Sequence, residues 1–184
     1  PFTSRRTAFF LCVIPTFHLQ QGSKVGYNGN KWDEVVNVNN MLIGEYTHNI
    51  DEKNRLSLPI KFRKEMGKTV IIAPGLEKSL FVFTAAEWKK KAEQLAEGSM
   101  LQADTRSFSR YFLGGATEVA VDANGRILLP DFLKDRVGIK DKVAIIGVYS
   151  RLELWEEATW QKYKRQVEAN ADTLAERLGS LGVL

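Results

Sequence analysis

Cysteine occurs once and histidine twice in 184 residues. Cys12 alone cannot build an internal disulfide framework or a multi-cysteine zinc site. His18 and His48 leave little material for a histidine metal centre or an acid–base relay. Thiol, zinc and histidine chemistry are set aside on that ground, no Gly-rich phosphate loop accompanies the aromatics, and no cofactor or metal is expected. The apolar run at residues 7–17, TAFFLCVIPTF, is too short to span a bilayer as a helix, so no membrane partner is expected. Arg5-Arg6 before it gives the layout of a secretory signal, but no small-x-small cleavage site follows. Charge is not strongly one-signed either: 26 Lys+Arg against 22 Asp+Glu, net +4, is compatible with a polyanion partner and proves none. What remains is an ordinary globular composition, 44% hydrophobic and 26% charged, enough for one domain or two small ones around a core.

The first forty residues read apart from the rest. Residues 22–40 are rich in Asn, Gly and Val and hold no helical or sustained strand period. Charge divides evenly across the cut: four basic residues (Arg5, Arg6, Lys24, Lys31) face two acidic ones (Asp33, Glu34) before Met41, leaving 22 against 20 after it. The basic excess of the folded part is therefore +2, half the total. Residues 1–40 are expected to be a tail or translated upstream sequence outside the fold, with Met41 as the true start.

After Met41 a repeat at offset 71 organises the chain. Gly44, Asp51, Arg55, Leu58 and Pro59 recur as Gly115, Asp122, Arg126, Leu129 and Pro130, with Ile50/Val121, Leu56/Ile127, Phe62/Leu133 and Arg63/Lys134 as close substitutions. Each copy opens on an alternating segment (Tyr46–Ile50; Glu118–Val121) that meets a turn, Asp51-Glu-Lys-Asn54 or Asp122-Ala-Asn-Gly125. Asp favours turn entry through its side-chain acceptor, while Asn and Gly tolerate positive φ. A short strand after the turn (Arg55–Leu58; Arg126–Leu129) is predicted to complete a hairpin. Pro59 and Pro130 suit the first position of a helix and Gly67 and Gly138 its C-terminal cap, which makes each helix about two turns long. A second strand pair follows in each copy: Thr69–Ala73 with Leu80–Phe83, and Val143–Gly147 with Leu152–Trp155. Thr84-Ala-Ala-Glu87 reads as a capping box starting a helix toward Glu97. A linker helix is predicted over about Leu101–Leu113, and a final helix over Ala158–Leu178 with an apolar face of Trp160, Tyr163, Val167, Leu174 and Leu178. The boundaries are a tail at 1–40, a first unit at 45–87, a linker at 88–114, a second unit at 116–159 and a C-terminal helix and tail at 160–184. The class is α+β, from two tandem β-β-α-β-β units, each too small to bury a good core alone.

The pattern D-x-x-N/G-R-L/I-x-L-P, twice at equal spacing, resembles the AbrB-like swapped-hairpin β-barrel. With the helical linker, the C-terminal helix and the Trp88 and Trp160 segments, residues 41–184 are similar to the MraZ family of bacterial transcriptional regulators. The resemblance implies two units interlocked into one pseudo-twofold barrel and subunits assembled into a ring-shaped homo-oligomer. It also implies repression of the division and cell-wall gene cluster, the protein's own promoter included, through TGGG-type direct repeats in double-stranded DNA. The cell location it implies is cytoplasmic and nucleoid-associated. It departs from the family pattern at Asn54, where Gly125 keeps the more permissive residue of the second copy.

Arg55 and Arg126 stand just after tight turns, and arginine suits both phosphate contact and bidentate reading of guanine O6/N7. By the resemblance, Arg55 is the match of the family's DNA-contact arginine. Lys53, Asn54, Asn124, Lys61 and Arg63 join the two arginines as DNA-binding candidates, with Asp51 and Asp122 orienting the turns. The same carboxylates could instead close each turn as a local ion pair, and the two roles are compatible. Residues 51–68 carry six basic against three acidic residues and residues 122–142 five against four, so the first copy is expected to face DNA more closely. Arg106 and Arg110, one turn apart in the linker, could touch DNA, support subunit packing or sit in water. Phe83, Trp88, Trp155 and Trp160 read as packing residues.

The tail carries one reading of its own. Lys31-Trp32-Asp33 must be encoded AAR-TGG-GAY, which contains TGGGA under any codon choice. Val25-Gly26 and Asn28-Gly29 permit TGGG as well, and the three thymines then fall ten nucleotides apart, about one turn of B-DNA. Residues 22–40 are thus expected to be the regulator's own binding site read as protein. Two other classes compete. A protein-interaction or antitoxin-type module would clasp its partner with the C-terminal helix, although duplication within one chain argues against a simple antitoxin. An enzyme would have to work with Asp51, Asp122 and Glu52, and no nucleophile, metal set or cofactor loop stands near them.

Overall fold

The computed structural model describes residues 41–183, which lie in one unit of the chain, Val36–Leu184. The reading of residues 1–40 as tail and encoded binding site falls outside the described residues. The first copy runs β1 (Leu42–Asn49), β2 (Arg55–Ser57), α1 (Ile60–Met66), β3 (Thr69–Pro74), β4 (Leu80–Thr84) and α2 (Ala85–Ala96). After α3 (Ala103–Phe112), the second runs β5 (Thr117–Ala120), β6 (Arg126–Leu128), α4 (Asp131–Val137), β7 (Lys142–Tyr149), β8 (Arg151–Glu156), α5 (Glu157–Glu168) and α6 (Ala171–Ser180). The α+β class and the β-β-α-β-β order of both copies are those read from the repeat.

Local signals act as expected at most element ends. Asn54 holds φ 56° and Gly125 φ 73° at the same turn position. Gly138 caps α4 in the left-handed conformation, and the Thr84 side chain accepts the Glu87 amide at the start of α2. Pro59 and Pro130 sit one residue earlier than expected, as N-caps with extended ψ rather than inside the first turn.

The strands pair mainly between the copies. An antiparallel six-stranded sheet has the order β1-β7-β8-β4-β3-β5, and β2 pairs with β6 in a separate ribbon. Only β3–β4 and β7–β8 pair within a copy; β1–β7, β3–β5, β4–β8 and β2–β6 all join the first copy to the second. Exchanging the copies leaves this order unchanged. The predicted first hairpins therefore form as turns without ladders: β1 and β2 meet only at the bridge Ile50↔Leu56, and β5 and β6 only at Val121↔Ile127. For the same reason the strands do not close a barrel among the described residues. β1 and β5 remain sheet edges, because each meets the ribbon only at its single bridge.

One core lies between the ribbon, the two short helices and the sheet. Leu56 and Ile127 from the ribbon, Phe62 and Leu133 from α1 and α4, and Val70 and Val143 from the sheet are all at or within 1% of full burial. Side chains of this size each stabilise the fold by about 1.5–3 kcal/mol when fully buried, and they come equally from both copies. A second cluster holds the linker down, with Phe83, Trp88 and Phe112 in mutual ring contact and centroids 5.2–6.2 Å apart. On the opposite copy Trp155 stacks with Tyr163 at 5.0 Å and meets Trp160 at 5.5 Å. The packing role read for these aromatics is the one they have.

The C-terminal helix differs from expectation. The chain breaks at Ala169-Asn170 into α5 and α6, and α6 buries no residue. Of the predicted apolar face, Trp160 and Tyr163 pack, whereas Val167, Leu174 and Leu178 are exposed. The sheet ends beneath α5, so the helical period continues past the surface that could cover it. The two helices predicted ahead of the second copy, one from Thr84 toward Glu97 and one over about Leu101–Leu113, are α2 and α3.

Candidate nucleic-acid interface

The ribbon is built from two turns of the same design. Asp51 accepts the Lys53 amide at 2.9 Å and the Arg55 amide at 2.8 Å on Oδ1, and Arg55 Nε at 2.7 Å on Oδ2. Asp122 repeats this with the Asn124 amide at 2.8 Å, the Arg126 amide at 2.9 Å and Arg126 Nε at 2.7 Å. One short carboxylate thus closes the turn and fixes the guanidinium plane at once. The Arg55 amide, the largest influence, together with the Arg55 guanidinium and the Lys53 amide, holds the Asp51 carboxyl below the ordinary aspartate value, outweighing burial, which opposes them and ranks second. The corresponding groups, led by the Arg126 amide, do the same for Asp122.

Pairing of β2 with β6 then brings the two turns together. The register is Arg55↔Leu128, Leu56↔Ile127 and Ser57↔Arg126, extended by the Leu58 amide on Gly125 O at 2.9 Å and the Leu129 amide on Asn54 O at 2.8 Å. Because side chains alternate across a strand, Leu56 and Ile127 point into the core while Arg55, Ser57, Arg126 and Leu128 share the outer face. The arginines are diagonal neighbours there, roughly 7–8 Å apart, though 71 positions separate them in sequence. Each ion pair uses Nε alone; among the described residues, the Nη groups of Arg55 and Arg126 donate no hydrogen bond within the chain.

The remaining candidates divide in two. Lys53 and Asn124 are exposed at the turn tips, and Lys61 is exposed with Nζ 3.2 Å from Ile43 O. Asn54 and Arg63, by contrast, are committed inside the chain. Asn54 donates to Asp131 Oδ1 at 2.5 Å and accepts Lys134 Nζ at 2.6 Å, tying the first turn to α4 of the second copy. Arg63 donates to Leu58 O at 2.8 Å and lies over Gly125, where an added Cβ would stand within 2.3–2.8 Å of its Cδ, Nε and Cζ. The basic residue of each short helix therefore reaches the turn of the other copy, and the turn residue is small where that partner is bulky. Arg106 bonds the Met100 and Leu101 carbonyls at 2.9 and 2.8 Å and closes the α2–α3 connection.

Sequence reasoning missed Leu128, Ser57, Asp131 and Lys134 as members of this surface. The repeat itself carried part of the signal: Arg63 with Gly125 and Lys134 with Asn54 are partners exchanged between the copies, which relates the Asn54/Gly125 difference to the Arg63/Lys134 one.

The fold and the ribbon define a duplicated α+β protein whose two halves jointly present one guanidinium-bearing β-ribbon. The family model described as "MraZ protein, putative antitoxin-like" matches twice in tandem, at residues 41–111 and 112–180. A "Transcriptional regulator MraZ" of Caldanaerobacter subterraneus subsp. tengcongensis is 38% identical over 143 residues, 78% of this chain and all of that protein. Those of Desulforamulus reducens and Caldicellulosiruptor bescii are each 40% identical, over 141 and 143 residues, covering 77% and 78% of this chain and 99% and 100% of their own length. This chain belongs to the MraZ family.

Proposed function

We propose that the protein is a sequence-specific DNA-binding transcriptional regulator that reads duplex DNA with the β2–β6 ribbon. The observation that carries this reading is the joining of both repeat arginines on one outer ribbon face, each with its Nε anchored by a carboxylate. A two-stranded ribbon fits the major groove, and an arginine with free Nη groups can engage guanine O6 and N7. Arg55 and Arg126 are assigned base or phosphate contact, Lys53, Asn124 and Lys61 backbone positioning, and Asp51, Asp122, Asn54 and Arg63 the support of the turns. Cross-copy pairing, unchanged by exchange of the copies, supports an AbrB-like swapped-hairpin ancestry. Few cations per chain would give weak binding by one subunit, so a ring engaging repeated TGGG-type boxes, ten base pairs apart and upstream of its own gene, completes the proposal. Repression of a division and cell-wall gene cluster from a cytoplasmic, nucleoid-bound state is the biological role proposed with it.

Gel shift of the full chain on its own upstream DNA tests the reading. Arg55→Ala is expected to lose binding and to lower the slope of log affinity against log salt by about one per contacting arginine; equal binding by the variant defeats the assignment. A second reading, a partner-clasping antitoxin-type module, is favoured by the uncovered Leu174 and Leu178 of α6. It predicts no shift by the parent chain on that DNA.

A further inference from the structure

The outer face of the ribbon carries one residue that charge does not explain. Leu128 is 54% exposed, directly opposite Arg55 in register. The bonds at Asn54–Leu129 and Leu58–Gly125 fix the parity of the ladder, which makes Arg55–Leu128 a non-hydrogen-bonded pair. That is the closer kind, with Cα atoms about 4.5 Å apart. The copy-related pair, Ser57 with Arg126, has a hydroxyl at the corresponding place, so the two halves of the face differ in chemistry although their backbones match.

We infer that Leu128 is a specificity-determining residue that contacts the 5-methyl group of a thymine beside the guanine read by Arg55. The inference rests on the DNA reading above and deepens it. Three observations support it. Thymine is the base that offers an apolar group in the major groove, and an apolar side chain is its natural partner. The cross-strand spacing of the pair is close to the 3.4 Å step between bases on one strand, so an arginine on one base leaves its neighbour over an adjacent one. The surroundings, with Arg55, Arg126 and Lys53, suit a duplex better than an apolar protein surface. Because Ser57 takes the matching place in the other half, the ribbon reads its two ends differently. A reader of that kind fits a box with direction, repeated head to tail, and not a palindrome.

The test uses the full chain and two duplexes at fixed salt. The first carries three TGGGA boxes whose thymines are ten base pairs apart, the box contained in any codon choice for Lys31-Trp32-Asp33. In the second, the thymines flanking each guanine run, on both strands, are replaced by deoxyuridine, which removes only the methyl groups. The parent is expected to bind the first about fourfold more tightly for each methyl contacted, the value of one buried CH₂, and Leu128→Ala to bind both equally. Leu128→Met, which keeps an apolar reach, is expected to retain the preference. Far-UV circular dichroism and native mass of each variant are read alongside. Equal binding of the two duplexes by the parent overturns the role of Leu128 while leaving the DNA reading standing. A Leu128→Ala variant that keeps the preference, or that loses binding through a changed native mass, overturns it as well. Binding of neither duplex by the parent overturns the DNA reading and this inference with it.

Discussion

At the scale of single residues, the turn aspartates work in two directions that a mutation can separate. Asp51 adds a negative charge next to a proposed phosphate-facing surface, yet it also sets the orientation of Arg55 through Oδ2. If bulk charge governed binding, Asp51→Ala would tighten it by removing repulsion. The geometry predicts the reverse: weaker binding in a titration at constant salt, because the guanidinium loses its anchor and the Lys53 and Arg55 amides lose their acceptor. Acidity acts through the same groups. Both carboxyls are held below their ordinary value in the folded chain, so their contribution to stability is complete above the unfolded aspartate value of about 3.9. It is lost as pH falls through the depressed folded values. Turn geometry, followed by the Arg55 and Arg126 Nε–H signals in NMR, is therefore expected to be constant from neutral pH down to about 4 and to collapse only below it.

Glu45 shows how the same chemistry secures an edge. Its carboxyl, on β1, accepts Lys164 Nζ and Trp160 Nε1, both at 2.9 Å, from α5 of the other copy. The Lys164 bond, then that of Trp160, outweighs burial and holds Glu45 below the ordinary glutamate value. Nothing in the offset-71 repeat marks this contact, since the matching residue at the other sheet edge is Ala116.

At the scale of elements, the local text was legible and the partners were not. Asp, Asn, Gly and Pro name the turns and caps through their own backbone preferences, so the turns at 51–54 and 122–125 and the helices after Pro59 and Pro130 follow from a few residues. Strand pairing follows from shape over the whole core, and a hairpin between β1 and β2 is the natural reading of two strands flanking a turn. It fails here because Leu56 and Ile127 complete the same core only when β2 and β6 lie side by side. The candidate site was half legible for the same reason: each arginine was visible in its motif, and their meeting was not. Close approach also governs β1 and β7. At Gly147 an added Cβ would lie 2.6 Å from the Leu42 carbonyl carbon and 2.7 Å from the Ile43 nitrogen, so the backbone itself must move. Gly147→Ala is expected to cost about 1–3 kcal/mol by denaturant titration, with exchange protection lost first along β1.

At the scale of the whole molecule, four of the six strand pairings cross between the copies, and each copy leaves the other's apolar surface uncovered if removed. This has a consequence for how the protein comes into being. As the nascent chain leaves the ribosome, its first half can form only the β3–β4 pair, and β1 and β2 have no partner strand until most of the second half has emerged, so completion of the fold waits for near-complete translation. The same dependence makes the molecule divisible in a particular way. Polypeptides 41–98 and 99–184, produced separately, should each lack cooperative melting, and mixing them should restore one transition and native-like circular dichroism. In effect the protein is an obligate heterodimer whose two members happen to share a peptide bond.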